Sequence, residues 1–180
     1  MDLKRVKQFI EFGSNKKILH LGCMDKPIKG TINIDYVNFL GVDKLLDLNK
    51  RWSFKDNSID AIIASHLLEH INYFHFMNET LRVLKKGGKI YLLVPYFTNH
   101  RAHMGEHETH GFSWVSFEQF RDKRHPFYQL KIISNKILFG NKLGFLNKIV
   151  NKFQMLYDRF LCYLLPATEL EIVLEKRKEE

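Results

Sequence analysis

The sequence predicts a single α/β domain built on an open, mostly parallel sheet, and two observations carry that expectation. Ile18, Leu19 and Leu21 form a short apolar run that stops at Gly22, and a second run from Thr31 to Ile34 stops at Asp35. Short apolar runs bounded by turn residues read as buried strands. Further on, strand-like runs flank a helical stretch that closes on a glycine pair, the alternation of an α/β sheet. At 180 residues the chain has the size of one domain and can bury a sizeable core.

The elements follow in order. From Asp2 to Phe12, Val6, Phe9, Ile10 and Phe12 sit among charges, which predicts a short amphipathic helix ending at Gly13. Strand one is Lys17–Leu21 and strand two Thr31–Asp35. The link between them holds Pro27 and Gly30 and is too short for the helix of a full crossover, so a loop or single turn is expected there. Strand three is Lys44–Leu48. Lys55 to Ser58 read as a turn, and Ile59–Ser65 as a fourth buried strand. A helix through Phe74, Met77, Leu81 and Leu84 is expected to close at Gly87-Gly88, a helix stop and tight turn. Lys89–Pro95 is strand five. A histidine-rich stretch from Asn99 to His110 precedes a helix beginning at Ser116–Phe120, and Leu130–Leu138 is strand six. Gly144 to Leu165 reads as mostly helical, with apolar residues at Leu146, Ile149, Val150, Phe153, Leu156, Phe160 and Leu164. Pro166 ends it, Glu169–Glu175 alternates as a final strand, and the charged tail from Lys176 to Glu180 reads as disordered.

Composition bounds the function. Hydrophobic residues at 45% and charged residues at 27% are ordinary for a globular protein. No apolar run reaches spanning length, and the N-terminal residues show no signal-peptide core. Cys23 and Cys162 are far apart without metal-ligand spacing, so a reduced, cytoplasmic setting is expected. The net charge of +8 suits anionic partners, whether nucleic acid or an acidic membrane. It equally suits a plain solvated surface, and no arginine-rich block or aromatic-basic motif points to RNA.

The chemistry is concentrated at the strand ends. A glycine after strand one lets backbone approach a ligand closely, and an acid after strand two can accept both hydroxyls of a ribose, which together suit a nucleoside cofactor. At Leu-His-Leu-Gly-Cys (19–23) the chain resembles the class I S-adenosylmethionine-dependent methyltransferases, whose first motif reads roughly Leu-Asp-Leu-Gly-Cys-Gly. Trp52-Ser-Phe-Lys-Asp-Asn-Ser-Ile-Asp and Leu84-Lys-Lys-Gly-Gly-Lys-Ile-Tyr-Leu-Leu-Val-Pro resemble the family's phrases leading into strands four and five. The resemblance covers Lys17 to about Phe120. It implies a Rossmann-like fold with a seven-stranded sheet, an antiparallel last strand at Glu169–Glu175 and S-adenosylmethionine as cofactor.

The resemblance also implies site residues. Gly22, with Cys23 and Asp25 in the same turn, takes the place of the cofactor's methionine end. Asp35 and Tyr36 take that of its ribose, and Asp47 with Leu48 that of its adenine. Ser65 and His66 close the site at the end of strand four. The motif is degenerate: His20 stands where the family has an acid, and Met24 and Lys26 where it has its second and third glycines. Cys23 reads as a small packed residue rather than a reactive thiol.

His100, His103, His107 and His110, with Glu106 and Glu108, raise a metal reading, yet Gly105 and its polar neighbours describe a loop, and no metal is expected. His107-Glu-Thr-His-Gly-Phe-Ser resembles a phrase after strand five that places His110 beside the acceptor, where an imidazole can take a proton. Methyl transfer to a small molecule or a glycan- or lipid-linked acceptor is the expected function. A non-catalytic binding or scaffold protein is the alternative, and an RNA methyltransferase a more distant one. The stripe in Gly144 to Leu165 reads first as core packing and second as an interfacial helix on an anionic membrane.

Overall fold

The computed structural model describes residues 2–105, 108–109, 111–140 and 143–178. Seven strands form one sheet: β1 (Ile18–Leu21), β2 (Ile32–Asp35), β3 (Lys44–Leu45), β4 (Ile59–Ser65), β5 (Leu84–Pro95), β6 (Leu130–Leu138) and β7 (Glu169–Lys176). Their order across the sheet is β3-β2-β1-β4-β5-β7-β6. The ladders from β3 through β5 are parallel, while β7 runs antiparallel between β5 and β6. The order reverses at β1, so the crevice at the carboxyl ends of β1 and β4 is the topological switch point, where open α/β sheets bind ligands.

Alternation along the buried strands divides the core into two layers. Ile62 and Ala64 of β4, with Ile90, Leu92 and Val94 of β5, join the larger cluster that includes Trp52, Phe76, Phe117 and Phe127. Ala61, Ile63, Tyr91 and Leu93 face the other way, onto Val6 of the N-terminal helix α1 (Leu3–Phe9) and Ile10 just after it. Fully burying a side chain of this size contributes about 1.5–3 kcal/mol. Asp2 caps α1 by accepting the Lys4 N–H at 2.9 Å.

Between β1 and β2 there are only turns and no helix among the described residues, as the short link requires. A polar cluster holds this loop instead. Asn33 Oδ1 accepts the Ile28 N–H at 2.7 Å and lies 3.1 Å from His20 Nδ1, while Asn33 Nδ2 donates to Asp43 Oδ2 at 3.0 Å. Burial lowers the His20 pKa, so a neutral imidazole occupies the place of the family's acid.

Three elements differ from expectation. Strand three is shorter, ending at Leu45: Leu46 makes the last ladder bond, to the Asp35 carbonyl, and the chain then turns at 47–50. Helix α2 (Tyr73–Val83) stops before the glycine pair, since Leu84 is already paired with Ile59. The ladder resumes at Ala61 and Lys89, so residues 85–88 bulge out, with Gly87 at φ +76°. After helix α3 (Val115–Glu118) and β6, the stretch expected as one helix is broken into α4 (Leu146–Val150), α5 (Gln154–Leu156) and a π-helical turn (Tyr157–Leu161). Phe153, at φ −131°, interrupts it.

Candidate active site

The sequence-predicted residues at the strand ends share the carboxyl edge of the sheet. β1 ends at Gly22, whose φ of +65° is the left-handed region that favours glycine. A Cβ there would lie 3.0 Å from Leu67 Cδ1, so the side chain after β4 packs directly on this glycine. The following turn closes with the Lys26 N–H on the Cys23 carbonyl at 3.0 Å, and Met24 holds φ +47°. Cys23 is buried and its thiol pKa is raised by burial, which makes it a packed residue rather than a nucleophile.

Asp35 draws the first two strand ends together. Its Oδ2 accepts the Met24 N–H at 2.9 Å and its Oδ1 the Val37 N–H at 3.1 Å, and the residue is only 3% exposed. The carboxylate therefore bonds the glycine turn to the β2 end, while Tyr36 beside it is 80% exposed. Asp25 is exposed on the same turn. Asp47 is exposed, and its pKa is lowered by the Asn49 N–H and by Lys50, whose Nζ lies 3.1 Å away. Leu48 is buried, and its carbonyl accepts the Trp52 Nε1–H at 3.2 Å.

At the end of β4, half-buried Ser65 leads into His66, which has a φ of +52° and donates its backbone N–H to Leu93 O at 2.8 Å. That conformation aims the ring between two carboxylates. Nε2 lies 2.9 Å from Glu169 Oε1, and Nδ1 lies 3.4 Å from Glu69 Oε1. The Glu169 hydrogen bond, followed by that of Glu69, pushes the His66 pKa up to about 9, and the imidazolium in turn lowers that of Glu169. Glu69 is buried, and its Oε2 has no hydrogen-bond partner among the described residues. Sequence reasoning missed both glutamates. Glu69 carries a local signal, lying in Leu-Leu-Glu-His directly after β4, whereas Glu169 is 103 residues from its partner and carries none.

A pH dependence follows from this cluster. The folded-state pKa of His66 lies above its ordinary 6.5, so its contribution to stability is complete below that value and is lost as pH rises through about 9. Melting temperatures taken across that window should fall for the wild type and fall less for His66→Ala. Equal slopes would mean that the two carboxylates do not hold the charge.

Beyond β5 the chain stays on the same edge. Phe97 N–H bonds Phe112 O and Phe112 N–H bonds Pro95 O, each at 3.0 Å, and Thr109 N–H bonds Glu69 O at 3.1 Å. Gly111 has φ +80°, and a Cβ on it would lie 2.6 Å from Phe97 Cα, so this crossing admits only glycine. His103 Nε2 lies 2.8 Å from Phe97 O. His107, Glu106 and His110 lie outside the described residues, and with them part of the histidine cluster. A shallow depression of about 540 Å³ lined by Arg51, Trp52, Phe54, Asp56 and Arg82 opens at the opposite, amino edge. Within it Arg82 Nη1 lies 2.7 Å from Asp56 Oδ1.

A family profile described as "Methyltransferase domain" matches residues 41–92, which run from the β2–β3 loop to the middle of β5. The fold is that of S-adenosylmethionine-dependent methyltransferases. It superposes on YcgJ from Bacillus subtilis with a TM-score of 0.64 and 15% identity, over 98% of this chain and 97% of that one. A SAM-dependent methyltransferase from Archaeoglobus fulgidus superposes with a TM-score of 0.63 and 14% identity, over 97% and 91% of the two chains. One from Methanosarcina mazei gives 0.60 and 15%, over 97% and 98%. An uncharacterized protein of Methanocaldococcus jannaschii is 44% identical over 41 residues, which span 23% of this chain and 18% of that relative's length.

Proposed function

We propose that the domain binds S-adenosylmethionine across the carboxyl ends of β1, β2 and β4 and transfers its methyl group to a small-molecule, glycan-linked or lipid-linked acceptor. The observation that carries this reading is the alignment of Gly22, Asp35 and Asp47 along one edge of a sheet that reverses order at β1. The cofactor, when bound, supplies a methyl group activated by a sulfonium. The residues fit it in their chemistry. Gly22 offers backbone without a Cβ, the Asp35 carboxylate retains lone pairs for two ribose hydroxyls, and exposed Asp47 accepts an exocyclic amine. Cys23, Asp25, Tyr36, Leu48 and Ser65 complete the lining. Glu69 Oε2, buried without a partner among the described residues, is a further acceptor for a donor on the ligand.

The protein's part in such a transfer is positioning, together with removal of a proton where the acceptor is a hydroxyl or a protonated amine. His66 is held as a charged clamp between Glu69 and Glu169 and serves orientation, while the motif resemblance around His110 makes that residue the base. The burial of Asp35 favours one alternative, a binding protein that has kept the fold without the reaction.

Calorimetry with S-adenosylmethionine and S-adenosylhomocysteine separates the two. The wild type should bind, and Asp35→Ala should weaken binding by roughly 1.5–3 kcal/mol, the order for hydrogen bonds to a charged group. Asp35→Asn, which keeps an acceptor for one of the two backbone N–H groups, controls for loss of the turn. No binding by the folded wild type at millimolar cofactor would remove the enzymatic reading and leave the scaffold.

A further inference from the structure

The broken helical stretch at 143–165 is oriented opposite to an ordinary surface helix. Its amide side chains face the protein. Asn147 Oδ1 accepts the Phe139 N–H at 2.8 Å, and Asn151 accepts the Ile137 N–H at 2.9 Å while donating to the Ile137 carbonyl at 2.7 Å. Gln154 Nε2 donates to the Asn135 carbonyl at 2.5 Å. These side chains bond residues 135, 137 and 139, alternating along β6 and just past its end, and occupy hydrogen-bonding groups that the outer strand of the sheet would otherwise expose.

The same geometry turns the apolar residues outward. Phe145, Ile149, Phe153, Leu156, Phe160 and Leu164 are all more than half exposed, and Leu164 reaches 82%. Only Val150, Tyr157 and Cys162 of this stretch are buried, which corrects the expectation that its stripe packs into the core. Contiguous exposed apolar surface of this extent marks an interaction face.

Charge selects what it meets. Lys148, Lys152 and Arg159 are exposed along the stretch. Its sole acid, Asp158, is turned inward, with Oδ1 accepting from Tyr96 OH at 2.5 Å and from Trp114 N at 3.1 Å. A second copy of the chain would bring like charges together across a two-fold contact. An anionic bilayer takes both features at once, the apolar side chains entering the headgroup–acyl boundary and the cations resting on the lipid phosphates. No helix among the described residues is long and apolar enough to cross a membrane, so the contact is peripheral.

We infer that the 143–164 face docks on an anionic lipid surface. The face adjoins the carboxyl edge of the sheet. The Tyr163 ring packs edge-on to Phe97, 5.7 Å between centroids, and Asp158 ties the stretch to Tyr96, the first residue beyond β5. Resting on the methyl-transfer reading, this placement makes a lipid-linked molecule the acceptor class, since docking turns the candidate site toward the membrane.

Vesicle flotation without cofactor tests the docking independently of that reading. The wild type should float with vesicles of phosphatidylcholine and phosphatidylglycerol at low salt, and much less with phosphatidylcholine alone or at high salt. Lys148→Ala with Lys152→Ala should lower partitioning about 25-fold, at about fivefold per cation near an anionic surface. Phe153→Asp with Phe160→Asp, both at exposed positions, should abolish flotation while leaving the melting temperature unchanged. Absence of wild-type flotation at low salt would overturn the inference, as would flotation that the double aspartate variant retains. A dimer that this variant dissociates, without vesicle binding, would assign the face to a second copy and overturn it too.

Discussion

Glu79→Ala should cost about 3–5 kcal/mol of folding stability, the span for breaking a buried ion pair by removing one partner. Glu79 sits on α2, buried at the amino edge of the sheet. Its Oε2 accepts the Trp52 N–H and Arg82 Nη2, both at 2.6 Å, and its Oε1 accepts Arg82 Nε at 2.8 Å. Arg82 sends its remaining donors to the carbonyls of Phe54 and Trp52 and to Asp56. All five guanidinium N–H bonds are therefore used, and the arginine is held charged far above neutrality, first by Glu79. The alanine variant strips Arg82 of its nearest counter-charge and orphans the Trp52 amide. The loop carrying Trp52, one of the largest buried side chains, loses its anchor to α2. Against a typical domain stability of about 5–15 kcal/mol, that loss is severe. Urea denaturation checks it. Glu79→Gln, which keeps an acceptor for Trp52 but loses the charge, should fall between the two. A change below about 1 kcal/mol for the alanine variant would mean that water replaces the glutamate without penalty.

The strands were legible because each is an apolar run closed by a residue that cannot continue it. Ile59–Ser65 and Leu130–Leu138 match expectation to the residue, and β1, β2 and β7 to within one. The helical limits were less legible. Gly87-Gly88 looks like a helix stop, but the pairing of Leu84 with Ile59 starts β5 earlier and leaves the glycines in a bulge. In the 144–165 stretch, apolar periodicity gives the helical character but not its direction. Asn147, Asn151 and Gln154 decide that by bonding the β6 edge, a tertiary partner that periodicity does not reveal.

The candidate site shows the same division. Gly22 and Asp35 are readable from local sequence because each closes a strand. That Asp35 also accepts the Met24 and Val37 amides, and that Glu169 returns to charge His66, depends on long-range packing. The degenerate glycine motif has its physical counterpart in this turn. Met24 keeps a left-handed backbone without glycine, and its amide is satisfied by the acid that the family reserves for ribose.

His110→Ala should lower turnover by roughly 10²–10⁴, the span for a positioned acid–base group, while leaving cofactor affinity within about twofold. His66 is bonded to carboxylates on both ring nitrogens and stays protonated up to about pH 9, so it cannot accept a proton at neutrality. His20 is buried under the sheet edge against Asn33. The residues on either side of position 110 are held at the edge, Thr109 on the Glu69 carbonyl and Gly111 against Phe97, with Phe112 on the Pro95 carbonyl. Single-turnover rates with calorimetric cofactor affinities on the same protein separate the roles. A fall in rate at constant affinity makes His110 the proton acceptor. Joint loss of affinity and melting temperature makes it a structural support for the 97–112 loop, and unchanged turnover moves the acceptor away from this wall of the site.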